Sequence, residues 1–135
     1  MTISMIKALL DACYQAKRAR ELLPALPKGV TSSYIQYLDT IETLERQGVR
    51  VKVSDISDAL HLPRPGVTRT VGEMEDKGYL QKSASAEDGR VMYLTITEQG
   101  RQISQTFNEQ FFAQLAPLLD DISDEDAACT IRTIQ

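Results

Sequence analysis

The chain has 135 residues, 42% hydrophobic and 25% charged, which suits one globular domain with its own core. No stretch approaches the roughly 18 apolar residues of a membrane span, and Lys7 and Asp11 interrupt the N-terminal apolar residues where a secretory signal would need a continuous run. Cys13 and Cys129 give neither a disulfide framework nor metal-ligand spacing. We therefore expect a cytoplasmic protein without a membrane partner.

The net charge of −4 argues mildly against nucleic-acid binding, but the charge is unevenly distributed. Residues 102–135 contain six acids and one base, a sum of −5, so residues 1–101 sum to +1. Binding to DNA needs a local basic surface rather than a basic whole chain. An acidic C-terminal segment that faces away from DNA is compatible with such a surface.

The first third of the chain is predicted to be helical. Apolar residues at helical spacing predict a helix over residues 3–23, and residues 24–29, which contain two prolines, read as a short connection. Thr31 or Ser32 can cap a second helix, which Gly48 ends. Its apolar stripe consists of Tyr34, Tyr37, Leu38, Ile41 and Leu44. The alternation of valines with basic residues over 49–53 then predicts a brief strand.

Two short helices joined by a tight turn follow. Ser54 is expected to cap a helix from Asp55 to His61, with three apolar residues facing inward, Ile56, Ala59 and Leu60. After a turn at 62–64, Pro65 suits the first turn of the next helix, because its missing N–H would be unpaired there anyway. This helix is predicted to run to about Lys77, to end at Gly78, and to bury Val67, Val71 and Met74.

A hairpin and two helices complete the predicted order. The strands are expected at about Tyr79–Ser83 and Val91–Ile96, with a loop at 84–90 between them. Thr97 is expected to cap a long helix with an apolar series, Ile103, Phe107, Phe111, Leu115 and Leu118. Ser123 opens a last helix whose three leading acids suit the positive helix N-terminus.

The pair of short helices followed by a hairpin with a basic loop is typical of a winged helix-turn-helix. The fold class expected is therefore mainly α with a small β-hairpin wing (α+β). The second helix of such a pair can enter the DNA major groove, about 12 Å wide, with its N-terminal residues leading. Residues 64–72 include two arginines and no acid, and the three acids of this helix come later. The DNA contacts predicted from this helix are Arg64, Pro65, Gly66, Thr68, Arg69 and Thr70.

The segment from Val53 to Gly100 resembles the MarR family of bacterial regulators. The pieces that carry the resemblance are SDISDALHL, VTRTVGEMEDKGYL and EDGRVMYLTITEQG, and TSSYIQYLDTIETL resembles the family's preceding helix. The resemblance implies a homodimer held by the first and last helices and a pseudo-palindromic operator in double-stranded DNA. It divides the single domain into dimerisation helices, 1–30 and 101–135, and a DNA-binding lobe, 31–100.

The resemblance also assigns roles in the hairpin loop. It implies that Arg90 inserts into the minor groove and that Asp88 orients its guanidinium. A narrow minor groove attracts arginine through its negative potential, and a guanidinium held by a carboxylate is better ordered than a free one. The plain alternative is an exposed ion pair of little energetic value. Lys82 and Lys52 are further candidates for phosphate contacts.

Some members of the family bind small aromatic or phenolic effectors between the dimer helices and the DNA-binding lobe. The candidates for such a pocket are Cys13, Tyr14, Arg18, Tyr34 and Tyr37, although core packing is the default interpretation of the tyrosines. Other members sense peroxide through a cysteine on the first helix. Cys13 falls about one turn after that position, where Leu9 stands, so a buried structural Cys13 is favoured over a redox sensor.

Catalysis, metal binding and a cofactor find no support in the sequence. His61 is the single histidine, which leaves no Ser-His-Asp or Cys-His set and too few zinc ligands, and no glycine-rich phosphate loop is present. We read His61 as a helix end and Cys129 as a dimer-interface residue. The sequence predicts a DNA-binding regulator, most simply a repressor. The alternatives are a winged-helix protein-interaction module and a Cys13-based redox-sensing regulator.

Overall fold

The computed structural model describes residues 1–21 and 26–135 and consists of helices around one short hairpin. Helix α1 spans Ile3–Glu21 and α2 spans Ser32–Arg46. The predicted end of the first helix at residue 23 and part of the predicted 24–29 connection lie outside the described residues. Thr31 caps α2, because its side chain accepts the Tyr34 N–H, as predicted. Gly48, at φ 82°, follows the helix end in the left-handed conformation that glycine adopts without strain.

The next two helices form the predicted helix-turn-helix, with α3 at Val53–Leu60 and α4 at Arg64–Asp76. The expectation that Ser54 caps α3 is wrong. The helix begins at Val53, two residues before the predicted start at Asp55, and the Asp55 carboxylate accepts the Lys52 N–H at 2.8 Å. Ala59 is exposed rather than inward, and Ser57 is buried instead, with its hydroxyl donating to the Leu62 carbonyl.

The predicted strand over residues 49–53 is also wrong. The segment between α2 and α3 is irregular, and only Val51 is buried in it. The Val51 carbonyl accepts the Leu94 N–H at 2.8 Å, which attaches this segment to the hairpin without forming a strand. The alternation of valines therefore reflects one buried anchor rather than a strand in a sheet.

The hairpin pairs β1, Leu80–Ala84, with β2, Met92–Ile96, in an antiparallel register that matches Leu80 with Ile96. Its inward face buries Leu80, Leu94 and Ile96, as the period of two in a half-buried strand requires. Gly78, at φ 82°, follows the C-cap of α4, the second helix of the helix-turn-helix, and only Tyr79 separates it from β1. The hairpin is therefore anchored to the core at its base, and its loop projects from the molecule.

The C-terminal third is a helix with an irregular middle followed by a short last helix. Helix α5 spans Glu98–Phe107 and begins at the predicted cap, Thr97, which accepts the Gly100 N–H at 3.1 Å. A π-helical turn at Asn108–Phe112 leads into α6, Ala113–Leu115, and a 3₁₀ turn, Ala116–Leu119. The last helix, α7, spans Asp124–Ile134 and is capped by Ser123, as predicted.

One hydrophobic core lies between α2, α3, α4, the hairpin and α5. The three residues predicted to anchor α4, namely Val67, Val71 and Met74, are fully buried. Burial of each such side chain contributes about 1.5–3 kcal/mol to folding. The core therefore holds α4 through one face, and the opposite face of the helix is exposed to solvent.

The first and last helices contribute little to this core. Every described side chain from residue 1 to residue 18 is exposed, and α7 is exposed except for two half-buried alanines. Cys13 is exposed in the single chain, so the expectation that it is a buried structural cysteine is wrong there. Cys129 is also exposed. The apolar residues Ile6, Leu10 and Ile131 are accessible to a partner.

Candidate nucleic-acid interface

The recognition helix α4 presents a polar face at its N-terminal end. Arg64, Thr68 and Arg69 are exposed, and Arg64 lies in the first helical position after Pro63. Pro65 is also exposed in the first turn, whereas Gly66 and Thr70 are half-buried. Because Val67, Val71 and Met74 are buried on the other face, all six predicted contact residues lie on or beside the surface that the core leaves open.

The turn that leads into α4 is held rigidly. His61 ends α3 in the left-handed conformation, with φ 52°, and its N–H donates to the Ser57 carbonyl. The Leu62 N–H donates to the same carbonyl at 3.1 Å, and the Ser57 hydroxyl donates in return to the Leu62 carbonyl. Ser57, which sequence reasoning missed, therefore fixes the start of the recognition helix. No apolar pattern in the sequence marks Ser57, because the bond that its hydroxyl makes reaches forward to Leu62, beyond the end of α3.

The hairpin loop holds its acidic and basic residues in one small structure. The Asp88 Oδ1 atom accepts two bonds from Arg90, one from the backbone N–H at 3.0 Å and one from Nε at 3.3 Å. The Ser85 hydroxyl accepts the N–H groups of Glu87 and Asp88 and fixes the loop below them. The Arg90 side chain is 92% exposed, so its charge projects into solvent while Asp88 restricts its direction. This is the arrangement that the sequence predicted for the wing.

Lys82 differs from the other predicted contacts, because an acid of the recognition helix already holds it. Its ammonium lies 3.7 Å from Glu75 Oε1, and its backbone N–H donates to Glu75 Oε2 at 3.1 Å. The Lys82 side chain is only 28% exposed. A phosphate contact from Lys82 would therefore have to compete with Glu75. Lys52 is exposed at the start of α3.

Two contacts beside this surface were not predicted. The Arg50 guanidinium stacks over the Tyr93 ring, 3.9 Å from its centroid, and so joins the segment before α3 to β2. The Tyr34 hydroxyl donates to Glu73 Oε2 at 3.0 Å and joins α2 to the recognition helix. Tyr34 and Glu73 lie 39 residues apart, and no local pattern in the sequence relates them.

The five residues predicted for an effector pocket do not meet around one cavity. Cys13, Tyr14 and Arg18 are exposed on α1, whereas Tyr34 and Tyr37 are 2% and 3% exposed in the core. The structure instead forms a cavity of about 400 Å³ between the start of α2 and the helix from α5 to α6. Ile35, Ile103 and Phe107 are among its lining residues, and none of the five predicted residues is.

The part of the chain that the structure describes contains neither a metal-site cluster nor a membrane-spanning helix. Within residues 1–21 and 26–135, no three acidic, histidine or cysteine side chains cluster as a metal site would require. No helix in the described ranges is both long and apolar enough to cross a membrane. The exposed arginines of α4 and the hairpin loop remain the most distinctive surface feature.

Comparison with known proteins bears on the family and the fold of the chain. A sequence model of the MarR family matches residues 28–91. The transcriptional repressor MprA of Escherichia coli (strain K12) is 29% identical over 75 residues, which are 56% of this chain and 42% of MprA, so the match spans less than half of that relative.

Two solved structures share the fold over almost the whole chain. FabT of Streptococcus pneumoniae, in complex with DNA, has a TM-score of 0.72 and 23% identity and covers 98% of this chain and 92% of its own. A MarR/EmrR family transcriptional regulator from Acinetobacter sp. ADP1 has a TM-score of 0.73 and 18% identity, with 99% and 93% covered. The predicted winged helix-turn-helix fold is confirmed.

Proposed function

We infer that this chain is a member of the MarR family, whose sequence model matches residues 28–91, and we propose that it is a DNA-binding transcriptional regulator rather than an enzyme. The observation that carries the proposal is the pairing, on one winged helix, of an acid-free helix start with an exposed arginine held at the hairpin tip. FabT, which has the same fold, is bound to DNA in its structure. MprA is a repressor, and repression by blocking a promoter is the simplest role for this chain.

The recognition helix supplies the sequence-reading part of the proposal. Placed in a major groove, its leading residues Arg64, Thr68 and Arg69 reach base edges and phosphates first. Gly66 and Pro65 let the backbone approach closely, because neither carries a long side chain. The acids Glu73 and Asp76 come one to three turns later, and so lie farther from the phosphates than the leading arginines.

The hairpin supplies the second contact. Arg90 enters the minor groove beside the major groove that α4 occupies, and Asp88 limits the directions its guanidinium can take. The negative potential of a narrow, A·T-rich minor groove would favour this insertion. The wing therefore adds a preference for the shape of the flanking DNA rather than for individual bases.

We propose that the protein binds as a homodimer. Helices in proteins gain most of their stability from packing of an amphipathic face, yet the side chains of residues 1–18 remain exposed in the described part of the chain. The exposed apolar residues of α1 and α7 suit a second copy, with residues 1–30 and 101–135 forming the dimer and 31–100 the DNA-binding lobe. A two-fold dimer places half-sites of a pseudo-palindrome about 34 Å apart.

A dimer of this kind is regulated if an effector favours a geometry whose recognition helices no longer match that spacing. Small aromatic or phenolic molecules remain the predicted effectors. The exposure of Cys13 also keeps oxidation as a second route to release. In that case mild peroxide would abolish DNA binding, and Cys13→Ser would prevent the loss.

The proposal is tested by selecting preferred sites from a random duplex library with the purified full chain. We expect an inverted repeat with half-sites one helical turn apart. Arg69→Ala should weaken binding by roughly 5- to 150-fold for each half-site, since each protomer loses one good base contact. Arg46→Ala, which removes an exposed arginine at the end of α2, outside the proposed DNA contacts and dimer helices, is the matched control and should leave affinity unchanged.

Failure to enrich any sequence would contradict the proposal and would favour a protein-interaction module, which the net charge of −4 suits. Equal losses for Arg69→Ala and Arg46→Ala would mean that the DNA-binding face is misplaced. Analytical ultracentrifugation of both variants separates a lost dimer from a lost contact.

A further inference from the structure

The C-terminal end of the recognition helix is held by one buried aromatic side chain of α2. Tyr34 is 2% exposed, and its hydroxyl donates to Glu73 Oε2 at 3.0 Å. Its ring also contacts two residues that follow α4. The Lys77 ammonium lies 5.0 Å from the ring centroid, and the Tyr79 ring packs edge-on at 6.1 Å. Tyr34 therefore contacts the segment from Glu73 to Tyr79 at three points.

Lys77 adds a second attachment, to the turn that precedes α2. Its Nζ atom donates to the Gly29 carbonyl at 2.8 Å. That turn is itself closed, because the Pro27 carbonyl accepts the Val30 N–H at 3.0 Å. The ammonium therefore reaches both the Gly29 carbonyl and the face of the Tyr34 ring, which attracts a cation. The end of α4 is thus joined to α2 and to the turn before it.

These polar contacts restrict a movement that the core opposes less strongly. Val67, Val71 and Met74 are buried, but the hydrophobic effect is non-directional, so it resists removal of α4 from the core more than a small rotation about the helix axis. Hydrogen bonds are directional and weaken steeply when their distance or angle changes. We therefore expect the bonds of Glu73 and Lys77, at 3.0 and 2.8 Å, to fix the rotation of α4.

The attachment lies toward the opposite end of α4 from its proposed DNA contacts. Arg64 and Arg69 belong to the first two turns, whereas Glu73 lies nine residues after Arg64, about 14 Å along the helix axis. Hydrogen bonds to base edges require precise placement of the arginines, whereas attraction to phosphates is largely electrostatic and tolerates displacement. A small rotation of α4 should therefore cost more affinity on the operator than on unrelated DNA.

We propose that Tyr34, Glu73 and Lys77 are positioning residues, which set the orientation of the recognition helix and thereby its preference for the operator over other DNA. The proposal rests on the proposed function, because it requires sequence-specific binding. The three residues act through bonds to α2 and to the turn before it, and not by contact with DNA.

The experiment measures the affinity of full-chain variants for the selected operator and for a random duplex of equal length, and compares the ratio of the two affinities. Tyr34→Phe keeps the ring and the net charge but removes the hydroxyl bond to Glu73. It should lower the ratio by roughly 2- to 30-fold for each half-site, the range over which substitutions along a network between coupled sites act. Its affinity for the random duplex, and the salt slope of that affinity, should match those of the wild type.

Two charge-matched pairs of variants cancel the general effect of charge on DNA binding. Lys77→Met and Lys28→Met each remove one exposed lysine, and only Lys77→Met should lower the ratio, because Lys77 holds the Gly29 carbonyl. Glu73→Gln and Glu73→Ala each remove one negative charge, but the amide oxygen of glutamine can still accept the Tyr34 hydroxyl. Glu73→Gln should therefore keep most of the ratio that Glu73→Ala loses.

A further control separates positioning from a general loss of stability. Ile41 is fully buried on α2, so Ile41→Val should lower the free energy of unfolding by an amount comparable with Tyr34→Phe. Because an isoleucine side chain forms no hydrogen bond, Ile41→Val should leave the ratio of affinities unchanged.

Equal ratios within either charge-matched pair would overturn the proposal, and so would equal ratios for Tyr34→Phe and Ile41→Val. In each of these cases the wild type would still prefer its operator, so the proposed function would stand. A wild-type ratio near one would instead reject the proposed function, and the positioning role with it.

Discussion

Replacing Asp88 by alanine separates two effects that this carboxylate has on DNA binding. As a negative charge at the hairpin tip, Asp88 repels phosphates, and its removal should strengthen binding to any duplex. As the partner of Arg90, with bonds at 3.0 and 3.3 Å, Asp88 orders the guanidinium. Its removal should therefore weaken binding to the selected operator, whose minor groove Arg90 enters. The two effects have opposite signs on the selected operator and can be told apart on random DNA.

The structure sets the expected magnitudes. The pair is exposed, at 92% for Arg90 and 45% for Asp88, so its loss should change the free energy of unfolding by less than about 1 kcal/mol. Arg90→Ala should cost about 1–3 kcal/mol of operator binding for each protomer, or roughly 5- to 150-fold per half-site. It should also lower the salt slope of log affinity by about 0.9 per protomer, which is about 1.8 for the proposed homodimer.

The assay is fluorescence anisotropy on the selected operator and on a random duplex of equal length, at several salt concentrations. For Asp88→Ala we expect affinity for random DNA to be maintained or to rise, while affinity for the operator falls, so that the ratio of the two affinities decreases. Arg90→Lys, which keeps the charge without the planar fork, should show the same loss of ratio. An equal gain on both duplexes for Asp88→Ala would refute the positioning role.

Further predictions concern stability and the charge beside the wing. Gly100→Ala should destabilise the fold by about 3 kcal/mol in urea unfolding, because its Cβ would lie 2.3 Å from a backbone oxygen. Gly72→Ala, with open space around it, should instead stabilise the fold by about 0.5–1 kcal/mol. Equal effects of the two substitutions would contradict the close packing around Gly100. Glu75→Gln should free the Lys82 ammonium and steepen the salt slope of DNA binding, and an unchanged slope would show that Lys82 makes no phosphate contact. Tyr34→Phe should cost about 0.5–1.5 kcal/mol of stability, since it removes one hydroxyl bond to the recognition helix and keeps the ring; no loss in urea unfolding would mean that the bond adds nothing net.

The sequence was most informative where local rules and burial agree. Helix α4 could be predicted because an apolar face at helical spacing, a proline in the first turn and Gly78 after the end all indicate the same helix. The irregular structure of residues 49–52 could not be predicted, because alternation alone does not show whether one valine or one face of a whole strand is buried. Only Val51 is buried there.

Side-chain bonds and helix irregularities that no apolar spacing marks explain most of what could not be predicted. The cap of α3 is formed by the Asp55 carboxylate, which accepts the Lys52 N–H, whereas the residue type favoured Ser54 as the cap. The cavity borders a π-helical turn that contains Phe111, and the apolar spacing of that segment fits an ordinary helix equally well. The exposure of Cys13 follows from the absence of cover on α1 within the described chain, which a helical pattern cannot reveal.

The most direct test of DNA binding by this chain is a salt titration of its affinity for the selected operator, with a random duplex in parallel. A winged-helix dimer that neutralises several phosphates should lose affinity steeply as salt rises, roughly 10³-fold or more between 50 and 200 mM if six or more phosphates are contacted. It should also keep a clear preference for the operator throughout. An affinity that is independent of salt, or equal for the two duplexes, would contradict the central claim that this protein is a sequence-specific DNA-binding regulator.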